Sequence, residues 1–330
     1  MSSAKIIPFA SGKGGTGKSL LTTNLGIALA EQGHTVTIVD LDLGGSNVHT
    51  FLGMPNDFPG LGDFLIARRT RLQDLVVETG IPNLSYVPGD FRTPFMANIH
   101  HAHKMKLIRH LKNLPSKYVL LDLGAGSSYN VIDFYSMVDR GIVISTPEYP
   151  SIMNMLGFLK NFVFRNIERS IKRYNFAHER FKKLHKEALS DENITVNDLI
   201  DQIGETSEEA GRLAREVCDG FKPRLLFNMV DAVDEFKFLE KIEANINQKL
   251  SLKMEHLGFI PRSKVIQESV RDRKVLMTSF SGKPIAELIL ILAKRMDDIW
   301  DFDVNNSMDF IRNDAEYLLS LKQRAEPQQT

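Results

Sequence analysis

The sequence predicts an α/β fold, a doubly wound and mostly parallel sheet with helices on both faces. Three observations carry the prediction. Short runs of aliphatic and β-branched residues recur at 4–10, 35–40, 84–88, 117–122, 141–145, 224–230 and 257–260. Helix-like segments stand between most of them, at the spacing of βαβ crossovers. Several of the runs end in an acidic residue, an asparagine or a glycine-rich turn, where open parallel sheets place their ligands. At 330 residues the chain has room for one large domain or two smaller ones. We read an α/β domain over residues 1–300 with a helical insertion at about 160–220, and a C-terminal helix and tail over 301–330.

The first strand, residues 4–10, runs directly into Ser11-Gly12-Lys13-Gly14-Gly15-Thr16-Gly17-Lys18-Ser19, and a helix follows over 20–32, ended by Gly33. Gly12, Gly17, Lys18 and Ser19 match G-x-x-x-x-G-K-[ST], in the strand–loop–helix context that this phosphate-binding loop requires. Glycines let successive backbone N–H groups curl around phosphate oxygens at the positive end of a helix. The residues expected to hold a nucleoside triphosphate are therefore Gly12, Lys13, Gly14, Gly15, Thr16, Gly17, Lys18, Ser19 and Leu20. In such loops the lysine reaches the β- and γ-phosphates and the hydroxyl ligates Mg²⁺, the parts assigned here to Lys18 and Ser19.

The strand at 35–40 delivers Asp40-Leu41-Asp42, followed by Gly44, Gly45, Ser46 and Asn47. Two carboxylates at a strand end beside a triphosphate suit contact with a magnesium shell and the orientation of a nucleophilic water. Short helices are expected at 61–68 and 72–78, then a strand at 84–88, with turns at 59–60, 80–82 and 88–90. His100, His101 and His103 invite a metal reading, but one helical turn cannot aim all three at one ion, and a solvated helix start is the better expectation. The strand at 117–122 ends in Asp122, a second carboxylate for the magnesium shell, and Gly124 and Gly126 loosen the loop behind it. Another strand, 141–145, leads to Thr146-Pro147-Glu148, read as structural or pocket-rim residues.

Between 151 and 220 the pattern turns helical. Ile167, Ile171, Tyr174, His178, Phe181, His185 and Ala188 recur in steps of four and three, as on one amphipathic helix, among Arg165, Arg169, Lys172, Arg173, Arg180, Lys182, Lys183 and Lys186. Acidic helices are expected at 191–203 and 207–219. The basic face suits DNA, lipid headgroups or a partner protein, or is a solvated face balanced by those acidic helices. Beyond it come a strand at 224–230 carrying Asn228, a helix at 235–248, a strand at 257–260 closed by Pro261-Arg262, and a helix at 279–295. An asparagine at a strand end can pair with an adenine edge through its donor and its acceptor. In the acidic tail, Phe310, Ile311, Ala315, Leu318 and Leu319 form an apolar stripe flanked by Asp309, Asp314 and Glu316, a setting for packing on the domain or a partner more than for anionic lipid.

Composition narrows the class further. Lys plus Arg and Asp plus Glu number 41 each, so no global field draws the chain to nucleic acid or membrane. One cysteine, Cys218, excludes an intrachain disulfide and a cysteine-built cluster within one chain. The apolar run at 288–293 is too short to span a bilayer, and the start leads into a core strand without a signal-like segment. A cytoplasmic protein is expected, with peripheral contact at the membrane or cell pole left open.

Lys13, placed directly after the first glycine, makes the loop Lys-Gly-Gly-x-Gly-Lys-Ser. On this segment, the D-x-D at 40–42 and Asp-Leu-Gly-Ala-Gly at 122–126, the chain resembles the MinD/ParA family of deviant Walker A ATPases, P-loop NTPases of the SIMIBI type. Within that family it is most similar to FlhG-like (MinD-like) proteins, although FlhG members often carry an N-terminal activating helix, for which the stretch before the first strand leaves no room. The resemblance implies a homodimer with ATP sandwiched between subunits and Lys13 crossing to the partner's nucleotide, although a solvated loop lysine is the plainer alternative. It further implies that Asp42 positions the attacking water, that Asp40 and Asp122 contact Mg²⁺ through water, that Asn47 lies near the dimer interface, and that Asn228, Ile260 and Pro261 form the adenine pocket. Family members often carry an aspartate soon after that proline, where this chain has Arg262-Ser263-Lys264. The function implied is a slow, partner-stimulated ATPase that positions a cellular assembly, flagellar, polar or at the division site. The alternatives are a ParA-like partitioning ATPase on non-specific DNA and a metabolic enzyme on the same fold.

Overall fold

The computed structural model describes residues 4–66, 71–89, 99–190, 194–231 and 236–325. Its centre is one eight-stranded sheet in the order β3-β4-β2-β5-β1-β6-β7-β8. The strands are β1 (Lys5–Ala10), β2 (Val36–Leu41), β3 (Val77–Glu78), β4 (Leu84–Val87), β5 (Tyr118–Leu123), β6 (Ile142–Ser145), β7 (Arg224–Val230) and β8 (Glu255–Pro261). All neighbours run parallel except the edge pair β3–β4. Along β1 and β5 successive side chains enter opposite cores: Ile6, Val119 and Leu121 one, Ile7, Tyr118 and Leu120 the other. Burial on both faces is why these strands read as unbroken apolar runs rather than as alternations.

The helices are α1 (Lys18–Glu31), α2 (Val48–Phe51), α3 (Leu61–Ile66), α4 (His101–Leu111), α5 (Tyr129–Tyr135), α6 (Tyr149–Ile171), α7 (Asn175–Ser190), α8 (Val196–Thr206), α9 (Glu208–Gly220), α10 (Phe236–Leu250), α11 (Lys264–Arg271), α12 (Leu276–Ser279), α13 (Pro284–Ile299) and α14 (Met308–Ala325). On one face α1 lies against the sheet with α13 packed against both α1 and β8, which leaves nearly every α1 residue buried. The helical region between β6 and β7 consists of α6 to α9, whose apolar stripes join the core of the other face. Thr195 begins α8 with a capping box, its hydroxyl accepting from Asp198 N while Asp198 accepts from Thr195 N.

Several expected boundaries move. The second short helix at 72–78 is instead a 3₁₀ turn, Leu72–Leu75, followed by β3, because Val77 and Glu78 find ladder partners in Tyr86 and Ser85. The single amphipathic helix through 167–188 is two helices, since the chain reverses after Ile171 and α7 folds back so that Phe181 and His185 meet Phe164, at 6.0 and 4.5 Å between ring centroids. The same step of four and three suits either path, so only the partner face decides. The helix expected from 279 begins at Pro284, whose fixed φ suits a first helical turn, and Ser279 ends the separate α12. The expected helix residues Ala67 and Arg68, the turn residue Asp90, the helix starts at 191–193 and at Glu235, and the last tail residues 326–330 lie outside the described residues.

Part of the basic stripe is engaged within the chain, while Lys172, Arg173, Lys182, Lys183 and Lys186 stay exposed. Arg165 and Arg169 turn inward to the buried Asp133, Arg180 donates to Gln202, and Lys182 pairs with Glu179. In α14 the apolar stripe also turns inward. Ile311 and Ala315 are buried in the core, and the buried Asp314 takes two guanidinium bonds from Arg295, at 2.7 and 2.9 Å. Arg295 also donates to Leu257 O of β8 and sits 4.4 Å from the Phe310 ring centroid. Among the described residues no helix is long and apolar enough to cross a membrane, and no cluster of three or more His, Cys, Asp or Glu side chains has the arrangement of a metal site. Cys218 is buried in α9, and burial pushes its thiol up to about 12.

Candidate nucleotide-binding site

The loop Ser11–Gly17 leaves the carboxyl end of β1, where the winding of the sheet reverses: β5 and β2 lie to one side and β6, β7 and β8 to the other. This is the switch point at which an open parallel sheet leaves a crevice. The loop is braced from three directions. Ser11 O accepts from Gly126 N at 2.9 Å, tying the loop to the segment after β5. Gly12 packs against the first turns of α6, where a Cβ would fall 2.2 Å from the Asn154 carbonyl carbon. Asn228 on β7 donates Nδ2 to Thr16 O at 2.8 Å. Gly17 meets that amide directly and has φ of +83°, so both crowding and backbone conformation require glycine there. The loop arrives at α1 already shaped, with little ordering left for a ligand to impose.

Behind the loop lie the charges. β2 and β5 are in register with Asp40 opposite Asp122, which sets the two carboxylates side by side at the strand ends. Both are fully buried. Lys18 Nζ donates to Asp122 Oδ1 at 2.7 Å, and Thr22, one turn further along α1, donates to the same oxygen at 3.3 Å. Asp40 accepts from the Ser46 hydroxyl, from Val48 N at 3.2 Å and from Asp42 N at 3.1 Å. Burial, and next the Asp122 charge, push the Asp40 carboxyl up to about 7 against the pull of those bonds and of Lys18. Asp42 is half-buried in front of the pair, its carboxylate 3.5 Å from the place a Gly124 Cβ would take.

This arrangement fits a hard divalent cation. Two adjacent buried carboxylates face one lysine, the donor set is all oxygen with the half-buried Ser19 at the start of α1, and Asp122 Oδ2 and Thr16 Oγ1 are buried without a hydrogen-bond partner among the described residues. Those orphaned oxygens would otherwise be costly.

The residues expected to bind therefore fall into two groups. Gly12, Lys13, Gly14, Gly15, Thr16, Gly17, Lys18, Ser19 and Leu20 line one loop and helix start, with Asp40, Asp42 and Asp122 beside them. Lys13 is half-buried on the loop, its carbonyl held by the Ser11 hydroxyl at 3.0 Å. Asn47 is exposed and donates to Gly45 O at 2.6 Å. Asn228, Ile260 and Pro261 share the carboxyl ends of β7 and β8, with Asn228 opposite Ile260 in register. Ile260 is fully buried, while the Asn228 amide N–H is committed to Thr16, so this second group touches the loop through Asn228. Sequence reasoning missed Thr22 and Ser46. Thr22 had a signal, because it stands four residues after Lys18 on the same helix face; Ser46 had none beyond lying in the loop after Asp40.

Comparison with known proteins gives a consistent result. A profile of the CobQ/CobB/MinD/ParA nucleotide binding domain matches residues 7–276. The septum site-determining protein MinD of Thermotoga maritima is 30% identical over 184 residues, covering 54% of this chain and 64% of that protein. The flagellum site-determining protein YlxH of Helicobacter pylori is 26% identical over 196 residues, 56% of this chain and 66% of that protein. The chain spans about half to two thirds of the length of such relatives. The solved structure of the septum site-determining protein MinD from Pyrococcus horikoshii, complexed with Mg-ADP, covers 89% of this chain and 96% of its own with a TM-score of 0.57 at 20% identity. That likeness is one of fold.

Proposed function

We propose, from the premise that this chain belongs to the CobQ/CobB/MinD/ParA nucleotide-binding family, that it is an ATP-dependent dimerising switch whose hydrolysis positions or releases a cellular assembly. The observation that carries the proposal is the buried Lys18–Asp122–Asp40 group behind a braced phosphate loop, with Asp42 in front of it. A site made only to hold phosphate would not need a third carboxylate at the loop mouth.

In this reading the loop N–H groups and Lys18 hold the triphosphate, and Lys18 leaves Asp122 to follow the β- and γ-phosphates. Mg²⁺, when bound through Ser19 and the water-linked Asp40 and Asp122, supplies neutralisation of the phosphate charge. Asp42 accepts a hydrogen bond from the attacking water and aims it in line. Lys13 of the partner subunit adds a cation to the transferring group, so hydrolysis requires two copies. Gly126 N on Ser11 O transmits the state of the loop to α5 and α6 through Ser127, which accepts from Asn161 at 2.9 Å.

Relatives named for septum and flagellum site determination support a positioning role; in this reading the switch works with a regulatory protein partner, in the cytoplasm or peripherally at the membrane. The engagement of Arg165 and Arg169 with Asp133 and of Arg180 with Gln202 supports this over a partitioning role on non-specific DNA. Asp42→Ala is expected to bind ATP, lose hydrolysis and accumulate as a dimer in light scattering. A monomer in excess ATP sinks the switch.

A further inference from the structure

A cavity of about 500 Å³ lies between the starts of α4 and α5 and the middle of α6, outside the nucleotide site. Its wall includes Lys104, Ser127, Ser128, Tyr129, Asp133 and Arg165. Asp133, the only carboxylate among the described residues of that wall, is 2% exposed. It already takes three cations: Lys104, Arg165 Nε at 3.4 Å and Arg169 Nη1 at 3.1 Å. One buried carboxylate needs one counter-ion, so the two arginines bring charge in excess. Glu168 offsets part of it, 4.0 Å from Arg165 Nη1, but it is also shared with His178 at 3.4 Å. Three cations therefore face two carboxylates. Among the described residues the Nη groups of Arg165 make no hydrogen bond, and the side chain is 28% exposed, within reach of a ligand. Ser127 Oγ accepts from Asn161 at 2.9 Å and Ser128 Oγ from Val131 N at 3.4 Å, so each keeps its hydroxyl hydrogen to donate. Donors around an acceptor that is already engaged make a site for an anion.

The surroundings point to an anion carried on a peptide. The volume is that of a whole ligand site rather than of a single small ion. The Arg165 guanidinium lies 4.6 Å from the centroid of the Tyr129 ring, which is 70% exposed. Arginine and tyrosine are the side chains on which protein partners most often anchor. An excess of one positive charge suits a carboxylate, whereas nucleic acid binds through many phosphate contacts. The position also matters. Ser127 follows Gly126, whose N donates to Ser11 O of the phosphate loop at 2.9 Å. A group seated on Ser127 and Arg165 therefore bears on the loop that would hold the nucleotide.

We propose that this cavity docks an acidic segment of a regulatory protein partner, a carboxylate seating on Arg165 and the Ser127 and Ser128 hydroxyls, and that docking changes nucleotide turnover. The second half rests on the switch reading above; the docking site does not. The probe is a fluorescein-labelled Glu-Ala-Glu-Ala-Glu peptide, with its glutamine counterpart as control, and anisotropy on the full chain without nucleotide reads binding. Wild type binds the glutamate peptide alone. Arg165→Gln weakens binding by about tenfold to hundredfold, the weight of a charge-assisted hydrogen bond, and Ser127→Ala by about threefold to tenfold. Lys183→Gln, which removes an exposed cation of α7, leaves binding unchanged. Lys104 and Arg169 still hold Asp133 in Arg165→Gln, so its thermal melt stays close to that of wild type. Saturating peptide changes phosphate release from Mg-ATP by about fivefold or more in wild type and not in Arg165→Gln. Binding that ignores Arg165→Gln, or that falls equally in Lys183→Gln, overturns the docking site. So does displacement of the peptide by inorganic phosphate or by duplex DNA at matched concentration. Docking with unchanged phosphate release overturns the regulatory half. A chain that binds the peptide but hydrolyses no ATP, with or without it, overturns the switch and leaves the docking site standing.

Discussion

Replacing Lys18 by methionine tests whether the buried charge group is built into the fold or only serves the ligand. Lys18 is 6% exposed and Asp122 is fully buried, with 2.7 Å between the charged atoms. Methionine keeps most of the stem's packing but strands Asp122 opposite Asp40. Breaking one partner of a buried pair costs roughly 3–5 kcal/mol, because the remaining charge has lost its solvent and its counterion. Asp40, held up at about 7, relieves part of this by taking a proton. The expected loss is therefore at the lower end, about 3 kcal/mol. Urea unfolding in EDTA without nucleotide measures it, and Lys18→Met with Asp122→Asn should recover all but about 1 kcal/mol, since two neutral groups leave no stranded charge. A single variant within 0.5 kcal/mol of wild type, or a double variant no better than the single, refutes the reasoning.

Three further outcomes follow from other parts of the molecule. Lys13→Ala should keep its affinity for a fluorescent ADP analogue and lose phosphate release by about a hundredfold or more; unchanged turnover would make Lys13 a bystander. Arg295→Met leaves the buried Asp314 without its guanidinium and should cost about 3 kcal/mol, with α14 cut first in limited proteolysis; equal stability and equal cleavage would remove that pair from the account. At Asp297 burial acts upward, but hydrogen bonds from Lys117 and Tyr118 and the His34 and Lys117 charges outweigh it and hold the carboxyl at about 2. A depressed carboxylate contributes stability above its unfolded value near 3.8 and loses it as pH falls toward 2. Asp297→Asn should thus be about 1–2 kcal/mol less stable at pH 7, after allowing for partial exposure, with the gap closing below pH 4. A gap that is constant down to pH 3 would contradict the sign.

The phosphate loop was legible because its chemistry is local. Gly12 to Ser19 are consecutive, and the strand before and the helix after them complete the pattern of a phosphate-binding loop. Asp40 and Asp122 were legible for a related reason, as acidic residues closing apolar strands. Their adjacency was not. Residues 82 apart in sequence became partners because β5 inserted between β1 and β2, a choice made by sheet order and register. The reversal after Ile171 escaped the sequence for a similar reason: a 4,3 apolar pattern says that a face is buried but not against what.

Sequence by itself determined the α/β class, the pattern of a phosphate-binding loop and the acidic strand ends, since each depends on neighbours within a few positions along the chain. Tertiary structure alone decided that Lys18 is charge-paired in the core, that Asn228 braces Thr16 across the sheet, and that Arg165 meets Asp133. Each of those is a contact between residues tens to hundreds of positions apart, and its energy depends on burial and distances that exist only once the sheet has closed.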